Sequence, residues 1–239
     1  MKKIFCLVTV LFFSVIMHAQ KQYVADANAE KRSLNGSFDS IMVSGGIDIY
    51  LSQSDKEEVA VSASDEKFIQ GIKTVIENNI LKIYYKGDIH WNSRNRQIRA
   101  YISFKDLGKI DASGASGIFV TGKMNVPSLL LKLSGASDFK GEVIVNTLTM
   151  ELSGASDVSI NGTASIVKIE SSGASDVKGY DLATDICNAK ASGASDINIT
   201  VNKELTAHAS GASDISFKGN AIIKDQQSSG ASSVSRKNR

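Results

Sequence analysis

The sequence predicts an all-β protein, and more specifically a single-stranded parallel β-helix (β-solenoid), on three observations. A tetrapeptide recurs at a nearly fixed period, the segments between its copies alternate apolar and polar residues, and turn-forming pairs recur at matching places. The tetrapeptide is Ser-Gly-Ala-Ser, and its seven copies start at Ser113, Ser134, Ser153, Ser172, Ser192, Ser210 and Ser229. Successive copies are 21, 19, 19, 20, 18 and 19 residues apart, a spacing typical of stacked repeats.

The segments between the tetrapeptides have the period of strands. In residues 148–152 the apolar side chains fall at every second position, and Val158 and Ile160 continue the same parity. Such alternation indicates half-buried strands, whereas a leucine-rich repeat of similar length should show a 3.6-residue pattern in its helical arc. About seven coils, each with two or three short strands and stacked ~4.8 Å apart, are therefore expected.

The tetrapeptide itself is expected to continue the alternation of inward and outward side chains, provided that the chain does not turn within it. Gly154 and Ser156 would then point inward, while Ser153, Ala155 and Asp157 would point outward. A column of inward glycines would mark a close approach of opposite walls, and inward serines would hydrogen-bond along the stack. A valine at Gly173 should then overfill the stack and destabilise it.

Corners are predicted where glycine follows each tetrapeptide at a similar interval. The four pairs are Lys140-Gly141, Asn161-Gly162, Lys178-Gly179 and Lys218-Gly219.

In the last coil the expected core positions are polar, with Lys224, Gln226 and Ser228 before the final tetrapeptide. A polar terminal coil is what an open stack needs to avoid end-to-end aggregation.

The N-terminal part is strand-rich but less regular. Ser44-Gly45-Gly46 is a candidate degenerate copy of the tetrapeptide, residues 65–69 can form one helical turn, and residues 74–85 are predicted to form a hairpin around Asn78-Asn79. With one proline and no linker-like stretch, residues 34–239 are expected to form one domain, with regular coils over 109–239.

The first 33 residues indicate an exported chain. Residues 1–20 have the pattern of a secretory signal peptide, with Lys2 and Lys3 before an apolar run that is too short for a comfortable membrane span. Residues 21–33 are polar and are predicted to be a flexible leader. Cleavage would remove Cys6 and leave Cys187, whose parity places it in the core as a free thiol.

Charge gives no electrostatic reason to expect nucleic acid or an anionic membrane as a partner. Cleavage removes two lysines, which leaves 25 basic and 25 acidic residues in the mature chain. The two local exceptions are residues 94–99 and the C-terminal tail, which are best explained as a solvated loop and a frayed end.

Two parts of the chain together resemble a known family. The stretch from Phe38 to Ile49, the strands at 80–83 and 98–102, and the serial Ser-Gly-Ala-Ser-Asp coils are similar to the head GIN domain family, also described as the putative autotransporter adhesin head domain of Bacteroidetes. The resemblance covers residues 34–235. It implies an exported β-helical domain, and it defines no catalytic residues that could be carried over.

An aspartate follows five of the tetrapeptides, and these five residues are the strongest constellation in the sequence. They are Asp138, Asp157, Asp176, Asp196 and Asp214. Stacked in register, neighbouring carboxylates would repel by ~0.9 kcal/mol even at the dielectric of water. Calcium held between coils is one solution, but it needs six to eight oxygens. The favoured interpretation is that each aspartate caps backbone N–H groups at its own corner, in an Asx-type turn.

No enzyme site emerges from the sequence. The mature chain contains only His90 and His208, and His208 falls at an outward position of its coil. No cofactor is predicted. Trp91, in a polar loop, is the best single candidate for contact with a sugar or a partner, against the simpler explanation that it covers the end of the solenoid.

These observations favour an exported, non-enzymatic β-solenoid with an adhesin-like role at the cell envelope. It would contact a surface glycan or an envelope protein through many weak polar contacts. Two alternatives remain open: a periplasmic structural or sensing module that binds another envelope protein, and a carbohydrate-active enzyme. The sequence does not distinguish between the periplasm, the outer membrane and the cell surface as the location of the protein.

Overall fold

The computed structural model of the chain describes residues 26–87 and 97–237. The predicted signal peptide, the first part of the predicted leader, His90 and Trp91 lie outside these residues. The described part contains sixteen strands and one short helix. They are β1 (Glu30–Arg32), β2 (Ser40–Val43), β3 (Ile47–Gln53), β4 (Glu58–Ala63), α1 (Glu66–Ile69), β5 (Ile72–Glu77), β6 (Ile80–Tyr85), β7 (Ile98–Phe104), β8 (Lys109–Ala112), β9 (Gly117–Leu133), β10 (Asp138–Leu152), β11 (Asp157–Ser171), β12 (Asp176–Ala191), β13 (Asp196–Gly211), β14 (Asp214–Lys218), β15 (Ile222–Gly230) and β16 (Ser233–Arg236).

The repeats form the predicted parallel β-solenoid of about seven turns. Strands β9 to β13 follow each other in the sheet, each paired in parallel with the next. The five coils of β9 to β13 differ from the expectation in one respect. Each holds one continuous strand of 15 to 17 residues instead of two or three short strands. The chain changes direction through register shifts, as between Ser159 and Gly162, which bend a strand without ending it.

The tetrapeptide is a corner, and this corrects the predicted inward glycines. All seven of its glycines are exposed and have φ between +75° and +83°, so the chain turns there and the parity is broken. The second serine is nevertheless buried in the first six copies, as predicted. Its hydroxyl closes the turn: Ser137 Oγ donates to the carbonyl of Ser134 at 2.9 Å, and Ser213 Oγ to that of Ser210 at 2.8 Å.

Consecutive corners are joined through their backbones. The amide of Ala155 donates to the carbonyl of Gly135 at 2.7 Å, and the same bond recurs from copy to copy, from Ala136 to Ala231. A Cβ placed on Gly173 would lie 2.4 Å from the carbonyl oxygen of Gly154. Glycine is therefore required at this corner both by its left-handed φ and by the coil above it.

The interior is a continuous apolar column. Inward residues such as Phe139, Val158 and Met150 are fully buried, as the alternation predicted. Cys187 is among them and is a free cysteine. Desolvation by burial raises the pKa of its thiol to about 12.

The N-terminal end begins with an irregular coil. Gly45 and Gly46 both have positive φ, and Ser113 N donates to the carbonyl of Val43 at 3.0 Å. Residues 44–46 therefore occupy the corner above the first tetrapeptide, as a degenerate copy. The predicted hairpin is also present as β5 and β6, with Asn78 and Asn79 in the left-handed region.

Antiparallel strands close this end of the stack. Strand β4 pairs antiparallel with β7, and β1 pairs antiparallel with β4. The short helix α1 starts after Asp65, which accepts from Lys67 N at 3.1 Å. Strand β1 lies within the predicted flexible leader. The structure thus differs from that expectation for Glu30–Arg32, because these residues find backbone partners along β4.

The predicted corner pairs and the last coil need two further corrections. Gly162 and Gly219 have positive φ, at +116° and +92°, whereas Gly141 and Gly179 do not. Lys224 is not at a core position. It falls in the register shift of β15 and reaches Glu204 at 3.3 Å, and the exposed Ile223 is the residue in register with the buried Leu205.

We expect Gly173→Ala to lower the free energy of unfolding far more than Gly122→Ala. Both glycines have positive φ, but nothing lies within 4 Å of a Cβ on Gly122. Gly122→Ala should cost only the left-handed strain, about 1–2 kcal/mol, and Gly173→Ala about 3 kcal/mol or more, because the coils must separate. Urea unfolding followed by circular dichroism measures both, and equal losses would contradict the backbone contact between corners.

We expect the thiol of Cys187 to be inert in the folded protein. Its burial and its raised pKa both keep the reactive thiolate away from reagents. In a Cys6→Ser variant, an aromatic disulfide reagent should release no chromophore from native protein and one equivalent in concentrated urea. Rapid labelling without denaturant would show that the core opens at β12.

Candidate ligand-binding groove

The candidate site lies on the outer face that leads into the tetrapeptide corner. Outward residues of successive coils stand in register there and form a row along the solenoid axis. This row, called the charged row below, consists of Lys132, Glu151, Glu170, Lys190, His208 and Gln227. The outward position predicted for His208 is confirmed. The row exists because parallel pairing in constant register places equivalent side chains directly above one another.

The carboxylates of the charged row are paired with lysines. Lys132 Nζ lies 3.0 Å from Glu151 Oε2, and the pKa of Lys132 is raised by its hydrogen bond to Glu151. Glu170 lies 3.0 Å from Lys168 and 4.0 Å from Lys190. The pKa of Glu170 is lowered, chiefly by the hydrogen bond from Lys168. Positive and negative charges thus neutralise each other along the row.

The first serines of the tetrapeptides form a second row beside the charged row. This serine row contributes Ser153, Ser172, Ser192, Ser210 and Ser229. Where its hydroxyls bond to the protein they donate to the coil above, as Ser172 Oγ does to the carbonyl of Leu152 at 3.1 Å. Each oxygen therefore keeps lone pairs that can accept from a ligand.

Between the two rows lies an open groove of about 720 Å³. This volume is within the ~300–1,000 Å³ of small-molecule sites. The groove passes six coils, from Lys132 to Gln227, a length of ~24 Å at strand spacing. At its C-terminal end His208 Nε2 lies 2.8 Å from Asp225 Oδ2, which ties the last coil to the rest of the groove wall.

The five predicted aspartates also stand in register, on a different face. The side chains of Asp196 and Asp214 bond to the following coil, which corrects the expected cap at their own corner for these two residues. Asp196 Oδ1 accepts from Asp214 N at 3.3 Å, and Asp214 Oδ1 accepts from the amide and hydroxyl of Ser233 at 3.1 and 2.7 Å. The local turn is closed by the second serine, whose hydroxyl already bonds within the tetrapeptide.

The described residues contain no group of three or more His, Cys, Asp or Glu side chains placed to hold a metal ion. Asp157 instead has Lys178 at 3.7 Å, a partner from the neighbouring coil. Calcium held between the coils stays the less favoured alternative for the aspartates, and unfolding with and without Ca²⁺ tests it.

Three stacked aromatic rings were missed by the sequence reasoning. The Tyr50 ring lies between those of Tyr101 and Phe119, with centroids 5.4 and 5.1 Å away. A signal was available, because Tyr50 and Phe119 both lie six residues after the first serine of their corner. The rings stack on one another along the axis, so the faces between them are not free for a ligand.

An exposed apolar pair is another feature of the outer surface. Ile166 and Ile186 are adjacent in register and 45% and 39% exposed. Thr147 and Glu204 stand on either side of them in the same row. The pair is therefore too short to form an extended apolar surface, and the groove is the better candidate site.

These features define a class of protein: a β-solenoid that presents fixed rows of side chains along its length. The chain belongs to the family described as "Putative auto-transporter adhesin, head GIN domain", whose model matches residues 37–221. The predicted resemblance is confirmed. In the part of the chain that the structure describes, no helix is long and apolar enough to cross a membrane.

Solved structures with the same fold come from Bacteroides and Parabacteroides species. A putative adhesin from Bacteroides fragilis has a TM-score of 0.78 at 20% identity, over 87% of this chain and 95% of that one. A putative lipid binding protein from Parabacteroides distasonis has 0.66 at 19%, over 89% and 98%. A putative adhesin from the same species has 0.63 at 19%, over 87% and 95%. None of the curated proteins matches the chain.

We expect Asp176→Asn to change stability by less than about 0.5 kcal/mol, because exposed substitutions are usually small in effect. The melting temperature of the wild-type chain should be the same in millimolar Ca²⁺ and in EDTA, as measured by circular dichroism. A rise with Ca²⁺ that Asp176→Asn reduces would establish the aspartates as a calcium site.

Proposed function

We propose that the chain is an exported, non-enzymatic adhesin-like protein that binds a ligand at the cell surface through its groove. The observation that carries the proposal is the pair of in-register rows that line the groove, the charged row and the serine row. A repeating ligand laid along them makes the same small contact in each coil. Weak contacts that act together on one ligand give useful avidity.

Three further observations support this proposal. The family and two of the solved relatives are named as adhesins. Residues 1–20 have the pattern of a signal peptide. The corners are fixed by backbone hydrogen bonds between coils, so the two rows are preorganised. Binding therefore costs the protein little conformational entropy.

We expect lysines of the outer faces to be labelled on intact cells. Lys123 and Lys203 have 61% and 67% of their side chains exposed, so a membrane-impermeant amine reagent should modify them without permeabilisation. A periplasmic marker protein in the same cells serves as the control. Labelling only after the outer membrane is opened would favour the alternative of a periplasmic structural or sensing module.

The binding role has its own test. Beads coated with the purified protein should retain cells or cell-envelope fragments, and beads coated with the heat-denatured protein should not. Equal retention by both would contradict a specific binding role. Release of new reducing ends from glycans incubated with the protein would contradict the non-enzymatic part of the proposal.

A further inference from the structure

The lining of the groove identifies a class of ligand, if the groove is the binding site proposed above. Lys132 and Lys190 on its wall are matched by Glu151 and Glu170, and both carboxylates are already paired with lysines. A wall without excess charge neither attracts nor steers a polyanion or a polycation. The balance of charge therefore favours an uncharged ligand.

The same side chains are rich in hydrogen-bonding groups. A lysine ammonium has three donors, so one ion pair leaves it two, and each carboxylate has more lone pairs than its partner uses. The hydroxyls of the serine row add acceptors along the opposite wall. The leucines between the two rows, Leu133 and Leu152, are buried, and the exposed lining combines polar groups with apolar surface. A ligand that donates and accepts at every step and also presents C–H groups fits this lining, whereas a lipid chain would leave the polar groups unpaired.

An extended peptide and a linear glycan are both neutral polar polymers, and their repeat lengths distinguish them as ligands for this groove. Equivalent groups recur along the groove at the coil spacing of ~4.8 Å. An extended peptide repeats its side-chain direction only every two residues, ~6.6 Å, and loses register with the coils. A linear glycan with equatorial linkages advances by nearly one coil spacing for each sugar ring. Successive rings face opposite ways, but each ring carries hydroxyl groups on both edges, so every coil still meets donors and acceptors.

From these three arguments we propose that the groove binds a neutral, linear oligosaccharide along the solenoid axis, with one sugar ring over each coil. Lysine ammonium groups donate to ring and hydroxyl oxygens, and glutamate and serine oxygens accept from sugar hydroxyls. Six coils line the groove, so affinity rises with chain length up to about six rings and then levels off.

Calorimetric titration of the purified protein tests the proposal. The probes are hexasaccharides of cellulose, xylan, mannan and chitin, the matching disaccharides, and a hexagalacturonate as the charged control. At least one neutral hexasaccharide should bind about tenfold or more tighter than its disaccharide. Its affinity should not change between low and high salt, because no net charge is involved.

Two arginine substitutions in the same region of the chain locate the site. Ser153→Arg places a long side chain in the groove, and Ser159→Arg places the same side chain at an exposed position of another face. The first should weaken the neutral hexasaccharide about tenfold or more, and the second should leave it unchanged. Circular dichroism confirms that both variants are folded.

Three results would overturn the proposal: no binding of any neutral hexasaccharide at millimolar concentration, binding restricted to hexagalacturonate, or binding that Ser153→Arg leaves intact. None of these would remove retention of cells by protein-coated beads. The ligand class and the proposed adhesin-like function therefore fail separately.

Discussion

The contact between successive glycine corners is the constraint on which the rest of the structure depends. A Cβ on Gly135, Gly154 or Gly173 would lie 2.4–2.5 Å from the carbonyl oxygen of the corner above. Only glycine permits this approach, and its left-handed φ turns the chain at the same place. The amide of the following alanine then bonds to the glycine carbonyl above, so that each corner positions the next one.

Fixed corners determine where the coils can differ. Coil length varies between 18 and 21 residues, and the structure absorbs the differences in register shifts after the aspartate-bearing segment, as between Gly179 and Ala183. Up to β13, the segment before each tetrapeptide pairs without interruption, as from Ile186 to Ala191 against the coil above. The charged row and the serine row lie on that uninterrupted segment. The groove is therefore on the part of the coil where equivalent side chains are held directly in line.

The sequence was sufficient for the fold because its signals are local and repeated. Alternation in residues 148–152 placed Met150 in the core, and the spacing of the tetrapeptide gave the stack. The same logic failed at Gly173, since period-two parity assumes an extended chain and cannot detect a turn of one residue. It also misplaced Lys224, because a one-residue register shift exchanges inward and outward positions.

The groove was less predictable, because it depends on pairs of residues some twenty positions apart. The sequence placed His208 outward, but the alignment of one coil on the next decides which lysine meets which glutamate. Likewise, the aspartates were correctly expected in a column, but the hydrogen-bond partners of Asp196 and Asp214 are in the following coil and not in their own turn.

The two ends of the stack show how a repeating structure ends. At the N-terminal end, antiparallel β4 and β1 replace the parallel ladder, so the regular parallel pairing of coils stops there. At the C-terminal end every residue of β15 is exposed, and Gln226 and Ser228 stand where earlier coils place alanine. A coil stacked beneath them would bury a polar amide and a hydroxyl against an apolar column, which costs free energy unless both find partners. The stack thus ends in polar residues at its C-terminal end and in antiparallel strands at its N-terminal end. The charged row and the serine row, which run along its side, are the surfaces on which the same chemistry repeats.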